Sequence, residues 1–178
     1  MHGKNKTICI AGKNKCAIIC LSYVIKKFKG YKILALPNKS DTGVDNWQKS
    51  FKKYSKKNKI QITSLKKLYK IKNLIFFSLE YEELLNINKF KSKELFNIHF
   101  SLLPRYRGCH TTYYQIKNGE KRIGVTLHKI DSGIDTGDIV DKKSFKVFLN
   151  STAYENYLKL LNSSIIIFKK NINKILKK

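Results

Sequence analysis

Residues 7–36 read TICIAGKNKCAIICLSYVIKKFKGYKILAL, and this opening stretch decides the fold. Thr7–Ala11 is a short apolar run, rich in β-branched residues and ended by Gly12, which is typical of a buried strand. From Cys16 to Phe28 apolar residues recur at helical spacing, and Lys32–Leu36 is a second apolar run stopped by a proline. We expect the apolar face of the helix to carry Ile18, Leu21, Ile25 and Phe28. A strand, a helix and a strand in this order predict an α/β fold, with a mostly parallel central sheet flanked by helices.

The rest of the chain continues to alternate between strand and helix candidates. We predict further strands at 61–63, 74–78, 95–99, 122–129 and 139–148. Helical segments are predicted at 47–57, 65–69, 81–86, 112–117 and 152–176, the last with Ser151 or Thr152 as its N-cap. No repeat, linker or low-complexity tail interrupts the pattern, so we expect residues 1–178 to form one domain.

Length and composition narrow the class of protein. A chain of 178 residues that is 42% hydrophobic can bury a sizeable core in one domain. No apolar stretch approaches the roughly 18–20 residues that cross a bilayer, and residues 1–6 lack the features of a signal peptide. The four cysteines show no CxxC spacing, which predicts reduced thiols rather than a zinc site. We therefore expect a cytoplasmic protein that does not act at a membrane.

The net charge of +25 is the most conspicuous feature of the composition, but it does not decide the function. Only three of the 37 basic residues are arginines, and the lysines are scattered among many Asn, Ile, Phe and Tyr residues. A genome rich in A and T would encode such a mixture whatever the protein does. Specific phosphate recognition favours arginine forks and clustered patches. We predict no nucleic-acid partner, and attraction of a small anionic substrate remains open.

The first polar cluster is NIHFSLLPRYRG, residues 97–108. Asn97 and His99 are two residues apart on a predicted strand, so their side chains point to the same side. An amide can hydrogen-bond a carbonyl oxygen that becomes anionic, and an imidazole can handle protons near neutral pH. Taken alone, such a pair is also common as a hydrogen-bonded loop feature, and both interpretations stay open at this point.

The second polar cluster is DSGIDTGDIV, residues 131–140, with three carboxylates and two glycines in ten residues. Its spacing differs from that of an EF-hand, so a metal loop is not favoured. One interpretation is a plain turn in which an Asp side chain bonds to the nearby backbone. The other is that a carboxylate of the loop orients His99 and favours its protonated form.

Taken together, the two clusters closely resemble the folate-dependent formyltransferase family. The family pattern is an Asn-x-His pair, a Ser-Leu-Leu-Pro loop ending in Arg-Gly, then Gly-Val-Thr, then Asp-x-Gly-x-Asp-Thr-Gly. The chain contains every one of these elements, in this order, between Asn97 and Val140. The resemblance implies a Rossmann-like formyltransferase core, 10-formyltetrahydrofolate as the cofactor, and no metal.

The resemblance also implies roles for individual residues. Asn97 would polarise the formyl oxygen and stabilise the tetrahedral intermediate, and His99 would hold or relay a proton beside the same carbon. Asp135 would pair with His99 and help to position a water, whereas His110 and His128 lie outside the matched catalytic positions. The residues implied to line the pterin are Ser78, Leu79, Glu80, Tyr81, Asp131 and Gly133.

Members of the family differ in the amine that they formylate. The glycinamide ribonucleotide enzyme has a Gly/Ser-rich phosphate turn where this chain has Gly12–Lys15, and the tRNA enzyme carries a further C-terminal domain. The stretches IAGKNKCAI, SDTGVDNWQKSF and FFSLEYEELL look most like sugar N-formyltransferases, whose acceptor is a nucleotide-linked amino-deoxysugar. Trp47 is expected either to stack on a ring of the substrate or to be a core aromatic. The predicted substrate-binding residues are Lys13, Asn14, Trp47 and Arg107.

Other functions stay open beside this one. Formyl transfer to glycinamide ribonucleotide or another small amine is the first alternative, and a truncated or non-catalytic relative that only binds ligand is the second. An RNA-binding module is supported only by the charge. The resemblance also implies a role in O-antigen biosynthesis. Sugar N-formyltransferases usually continue with elements that help to form a dimer or the nucleotide pocket, so a homodimer is an open expectation.

Overall fold

The computed structural model of the protein describes residues 6–177. Its backbone contacts group the chain into two compact units, Met1–Phe96 and Asn97–Lys178. Strand β5, Glu94–His99, begins in the first unit and ends in the second. A single catalytic domain over residues 1–178 remains a prediction. Most of residues 1–6, where no signal peptide is expected, lie outside the described residues.

The first unit is built on parallel strands. Its elements are β1 (Thr7–Gly12), α1 (Asn14–Lys27), β2 (Lys32–Pro37), α2 (Phe51–Lys57), β3 (Gln61–Ile62), α3 (Leu65–Leu68), β4 (Leu74–Leu79) and a 3-10 helix (Ile87–Lys89). The strands lie in the order β3-β2-β1-β4, and all the pairs are parallel. Strands β1 and β4 are buried along their whole length, which explains why they appear in the sequence as continuous apolar runs.

Helix α1 packs on a different face from the one predicted. The helix buries Cys16, Ala17, Cys20, Leu21 and Val24. Of the predicted face, only Leu21 is buried, while Ile18, Ile25 and Phe28 are half-buried. Small side chains let the helix approach its neighbours closely, so the cysteines and the alanine occupy the inner face. Gly12 precedes the helix with φ +147°, and a Cβ there would lie 1.9 Å from the Leu79 carbonyl oxygen.

The second unit contains the end of β5, an antiparallel strand pair and the longest helix. Its further elements are α4 (Thr111–Lys117), β6 (Arg122–Lys129), β7 (Ile139–Lys146) and α5 (Ala153–Lys177). Strands β6 and β7 are antiparallel, with an irregularity in the register between Leu127 and His128. Helix α5 begins with a capping box, because the Thr152 hydroxyl accepts from the Glu155 N–H at 3.1 Å and Glu155 accepts from the Thr152 N–H at 2.8 Å. Thr152 is thus the predicted N-cap.

Two predicted helical segments differ in the structure. Helix α2 begins at Phe51 rather than at Trp47, because the Ser50 hydroxyl caps it by accepting from the Lys53 N–H at 2.9 Å. The predicted helical turn at 81–86 is wrong, since this segment is irregular and its glutamates bind the 39–40 segment of the chain. Among the helices of residues 6–177, none combines the length and the apolar character that crossing a membrane requires.

Candidate active site

The carboxyl end of β5 brings Asn97 and His99 to a common partner. Asn97 Nδ2 donates to Asp135 Oδ1 at 3.2 Å, and His99 Nδ1 lies 3.3 Å from Asp135 Oδ2. His99 is buried and Asn97 is half-buried. The alternation of side chains along the strand therefore places the amide and the imidazole on one side, as the sequence predicted. The structure brings all three predicted catalytic residues together.

The Asp135 carboxylate is surrounded by groups that favour its charged form. Its backbone has φ +52°, and its Oδ2 also accepts from the Gly108 N–H at 2.9 Å. Burial acts to raise the pKa of Asp135, but the neighbouring His128, His99 and Gly108 N–H outweigh it and hold the pKa below its usual range. Asp135 is thus an anion at neutral pH.

The hydrogen-bond partner of His99 Nε2 determines the tautomer of this histidine. His99 Nε2 lies 2.7 Å from the Tyr106 carbonyl oxygen, and because a carbonyl can only accept, Nε2 carries a hydrogen. Burial lowers the pKa of His99, while the Tyr106 carbonyl and the Asp135 carboxylate act in the opposite direction and do not fully offset it. Burial thus favours the neutral ring, in which the basic nitrogen is Nδ1, beside Asp135.

The loop after β5 holds this carbonyl in place through Tyr106. Tyr106 has φ +55°, a backbone conformation that is uncommon for a residue with a side chain. Its hydroxyl donates to Glu120 Oε1 at 2.7 Å and accepts from Asn118 Nδ2 at 3.0 Å, and Arg105 also pairs with Glu120. One residue thus links the loop to Glu120 through its side chain and to His99 through its main chain.

His128 joins the same group, although it lies outside the matched catalytic positions. It is 2% exposed, its Nδ1 lies 2.7 Å from the Lys129 carbonyl oxygen, and its Nε2 lies 3.1 Å from Asn97 Nδ2. The distance from Nε2 to Asp135 Oδ1 is 3.4 Å. The available signal was its place near the end of a predicted strand, directly before the Asp-rich loop. His110, by contrast, is exposed at the start of α4.

Two carboxylates of the Asp-rich loop, Asp131 and Asp135, have different partners. Asp131 Oδ1 accepts from the Gly133 N–H at 3.1 Å and from the Thr136 hydroxyl at 2.7 Å, which is the turn bonding expected of an Asp in a plain loop. A Cβ at Gly133 would lie 2.1 Å from the Thr136 hydroxyl oxygen. Asp131 therefore shapes the loop, while Asp135 points toward the histidines. Contact of Asp131 and Gly133 with a pterin stays a prediction.

The predicted pterin turn in the first unit, Ser78–Tyr81, begins with the last two residues of β4. Ser78 and Leu79 are buried, and Glu80 has φ +58°. The Glu80 carbonyl accepts from Asn38 Nδ2 at 3.0 Å, and the Tyr81 hydroxyl donates to Glu83 at 2.9 Å. The bond to the Glu80 carbonyl anchors the backbone of this turn, as a site that recognises its ligand through the main chain requires. Its role in folate binding stays a prediction.

A polar cavity of about 180 Å³ lies in the first unit. Lys13, Asn14 and Trp47 line it, together with residues of the 40–50 loop. Trp47 is 73% exposed, so the interpretation of this residue as a core aromatic is wrong. The Asp41 carboxylate holds the loop by accepting from the Ser50 hydroxyl at 2.6 Å and the Lys52 N–H at 2.8 Å. Arg107 is exposed in the second unit, in the loop after β5.

The cysteines and acidic residues show no metal site within residues 6–177. No three His, Cys, Asp or Glu side chains in this range converge so as to hold an ion. Cys9, Cys16 and Cys20 are buried, Cys109 is exposed, and all four are free thiols.

The region around these residues matches a known family. The model of the formyl transferase family matches residues 81–170, slightly more than half of the chain. The chain belongs to the formyl transferase family. The matched range contains Asn97, His99, His128 and Asp135, so the whole polar group lies inside it.

Relatives of this formyl transferase include proteins much longer than the chain. It is 38% identical over 172 residues to the bifunctional polymyxin resistance protein ArnA of Wigglesworthia glossinidia brevipalpis. The match covers 89% of this chain and 26% of that protein. The chain therefore spans about a quarter of the length of this relative.

Two solved structures are similar over almost the whole chain. The N-formyltransferase of Helicobacter canadensis, in complex with folinic acid and dTDP-3-aminofucose, is 46% identical with a TM-score of 0.93. WlaRD, a sugar 3N-formyltransferase in the presence of dTDP and 5-N-formyl-THF, has the same identity and TM-score. The matches cover 97% and 98% of this chain and 64% of each of those chains.

A more distant structure shares only the fold. Phosphoribosylglycinamide formyltransferase of Bacillus halodurans is 19% identical, with a TM-score of 0.81 over 97% of this chain. The predicted α/β formyltransferase fold, with a mostly parallel sheet flanked by helices, is confirmed.

Proposed function

We propose that this formyl transferase moves the formyl group of 10-formyltetrahydrofolate to the amine of a nucleotide-linked amino-deoxysugar. The observation that carries the proposal is the contact of Asn97 and His99 with the Asp135 carboxylate at the end of β5. An amide donor, an imidazole with one free basic nitrogen and a carboxylate are the groups that amine addition to a carbonyl requires. The two relatives that are 46% identical, one in complex with folinic acid and the other with 5-N-formyl-THF, support the same donor.

The residues of the chain fit this donor. When bound, 10-formyltetrahydrofolate supplies an electrophilic formyl carbon joined to a nitrogen that can leave. We assign contact with its pterin to Asp131 and Gly133 and to the backbone of the turn Ser78–Tyr81. The bonded carboxylate of Asp131 and the fixed carbonyl of Glu80 give both segments a defined main-chain shape. No metal is required for a reaction of this kind.

Asn97 serves as the donor to the formyl oxygen. Negative charge builds on that oxygen as the amine adds, and an N–H directed at it stabilises the transition state more than the ground state. Loss of one such donor costs about two to three orders of magnitude in kcat in enzymes of this type. The Asn97 amide nitrogen lies between His128 Nε2 and Asp135 Oδ1, so the donor end of the amide is held beside the other catalytic groups.

His99 moves the proton of the acceptor amine. The amine attacks in its neutral form, because a protonated amine has no lone pair, and its nitrogen must lose one proton as the bond to the formyl carbon forms. His99 Nδ1 can receive this proton, because Nε2 already donates to the Tyr106 carbonyl. The resulting imidazolium lies 3.3 Å from the Asp135 carboxylate, which stabilises its charge. From Nδ1 the proton can pass on to the nitrogen that leaves.

For the acceptor, we propose the amino group on C3 of a dTDP-linked sugar. One relative at 46% identity is in complex with dTDP-3-aminofucose, and the other is a sugar 3N-formyltransferase. Lys13 and Asn14 are assigned to the diphosphate, and the exposed indole of Trp47 to stacking on a ring of the nucleotide. Arg107 is retained as a further substrate-binding residue.

The cellular setting is part of the same proposal. We place the protein in the cytoplasm, because free thiols such as the buried Cys9, Cys16 and Cys20 persist in a reducing compartment. We further propose a role in O-antigen biosynthesis, a homodimer, and no membrane or nucleic-acid partner. Sedimentation at increasing protein concentration tests the dimer.

The acceptor is tested by incubating the full chain with 10-formyltetrahydrofolate and a panel of amines, followed by mass spectrometry. The panel contains dTDP-linked 3-amino and 4-amino sugars, glycinamide ribonucleotide and methionyl-tRNA. A formyl adduct on the dTDP-linked 3-amino sugar is the expected result. An adduct on glycinamide ribonucleotide alone would replace the proposed acceptor, and binding of the amines without any adduct would indicate a non-catalytic relative.

A further inference from the structure

His128 is a buried polar residue to which the proposed reaction assigns no step. It lies near the end of β6, at the irregularity where the pairing shifts from Leu127–Asp141 to His128–Ile139 and leaves Val140 unpaired. Such bulges redirect a side chain and are common beside active sites. Both ring nitrogens of His128 have polar partners, so the imidazole is held in one orientation.

The partners of His128 fix its tautomer. Nδ1 lies 2.7 Å from the Lys129 carbonyl oxygen, which can only accept, so Nδ1 carries a hydrogen. In the neutral ring Nε2 is then an acceptor. Asn97 Nδ2, at 3.1 Å, is nearer to Nε2 than Asp135 Oδ1, at 3.4 Å. The hydrogen between the two side chains therefore belongs to the amide of Asn97.

The two acceptors together define the plane of the Asn97 amide. One N–H points to His128 Nε2 and the other to Asp135 Oδ1, at 3.1 and 3.2 Å. With Asp135 as the only partner, the amide would be free to turn about its terminal torsion, which has a broad energy profile. With His128 present, the nitrogen stays on the side of Asp135, and the amide oxygen stays away from it.

We propose that His128 is a positioning residue that fixes the donor end of the Asn97 amide for the formyl oxygen. The proposal rests on formyl transfer as the activity of the chain. His128 keeps one N–H, and the formyl oxygen accepts from the second N–H, which it shares with Asp135 as charge builds on that oxygen. Because a donor fixed in advance needs no reorganisation during the reaction, loss of His128 lowers kcat and leaves the KM values nearly unchanged.

Two substitutions separate this role from a purely structural one. Gln at position 128 places its carbonyl oxygen near the position of Nε2 and can accept from Asn97, but it gives up the bond to the Lys129 carbonyl. Asn at 128 places its amide near Nδ1 and keeps that bond, but it does not reach Asn97. Each variant loses one hydrogen bond, so their melting temperatures should be similar.

The expected result is a difference in kcat between the two variants. His128→Asn should lower kcat by about ten- to a hundredfold, and His128→Gln should stay within about threefold of the unmodified chain. In the double variant Asn97→Ala/His128→Asn, kcat should match Asn97→Ala alone, because His128 acts through the amide. Equal losses in the two single variants, an unchanged kcat in His128→Asn or multiplied losses in the double variant would each overturn the proposal.

A measurement on the unmodified chain keeps the proposal testable if a variant fails to fold. The ¹⁵N shifts of the His128 ring should show hydrogen on Nδ1 and a bare Nε2. Hydrogen on Nε2 instead would overturn the proposal whatever the kinetics show. This measurement needs no substrate, so it separates the two claims: absence of formyl transfer refutes the proposed function, and the wrong tautomer refutes the role of His128.

Discussion

The substitution His99→Gln removes the proton acceptor of the proposed reaction and leaves the surrounding structure nearly intact. The amide nitrogen of Gln can take the position of His99 Nε2 and donate to the Tyr106 carbonyl, which His99 contacts at 2.7 Å. It offers no basic nitrogen where Nδ1 faces Asp135 at 3.3 Å. The change therefore isolates proton transfer from the support of the loop.

The size of the effect follows from the chemistry that is lost. Proton transfer by a positioned side chain contributes about two to four orders of magnitude, so kcat should fall by that factor, or about 2.7–5.4 kcal/mol in activation free energy. The free energy of unfolding should change by less than about 1 kcal/mol, since the bond to Tyr106 is retained. His99→Asn, which does not reach that carbonyl, should lose similar activity and also about 1–3 kcal/mol of stability.

The assay is steady-state formyl transfer at varied concentrations of both substrates, followed by mass spectrometry of the sugar, with denaturant unfolding of each variant alongside. KM for both substrates should change little, because these contacts strengthen only in the transition state. A folded His99→Gln variant with turnover within about tenfold of the unmodified chain would refute His99 as the proton acceptor.

Further predictions concern the neighbours of His99 and the substrate cavity. In the unmodified chain the Asp135 carboxylate acts to raise the pKa of His99, so Asp135→Asn should lower this pKa further. The ring would then become protonated only at a lower pH, and an NMR titration that shows a higher pKa would contradict this. Tyr106→Phe breaks the bond to Glu120 and should cost about 1 kcal/mol of unfolding free energy, with a fall in kcat that the matched surface change Tyr113→Phe should not produce. Trp47→Ala should raise KM for the nucleotide sugar about tenfold through lost stacking, without changing KM for the folate, and an unaltered KM for the sugar would remove Trp47 from the site.

The elements that the sequence predicted well are those with one dominant physical cause. Strands β1 and β4 are buried on both faces, so each is an uninterrupted apolar run with little ambiguity. The prediction of the inner face of α1 was wrong because it relied on the large apolar residues of the helix. In the structure the small residues, the cysteines and the alanine, pack on the inside. The prediction of a helical turn at 81–86 was wrong because the glutamates of this segment bind a loop about 40 residues away in the chain. A local sequence pattern contains no information about such a contact.

The candidate site also contains residues that the sequence predicts and residues that it does not. Strand alternation places Asn97 and His99 together, and the family resemblance adds Asp135. His128 lies outside the matched catalytic positions, and its contact with Asn97, 31 residues earlier, depends on an irregularity in the pairing of β6 and β7 that the sequence does not reveal. The contact of His99 with the Tyr106 carbonyl could not be predicted either, since every residue type has a main-chain carbonyl.

The most direct test of the proposed chemistry is to follow a ¹³C-labelled formyl group by NMR. The full chain is mixed with labelled 10-formyltetrahydrofolate and a dTDP-linked 3-amino sugar, with His99→Gln and Asn97→Ala as matched controls. The label should move from the folate nitrogen to the sugar amine in the unmodified chain, and at least about a hundredfold more slowly in each control. Transfer at equal rates in all three would show that Asn97 and His99 do not carry the reaction, and no transfer in the unmodified chain would contradict the proposed activity.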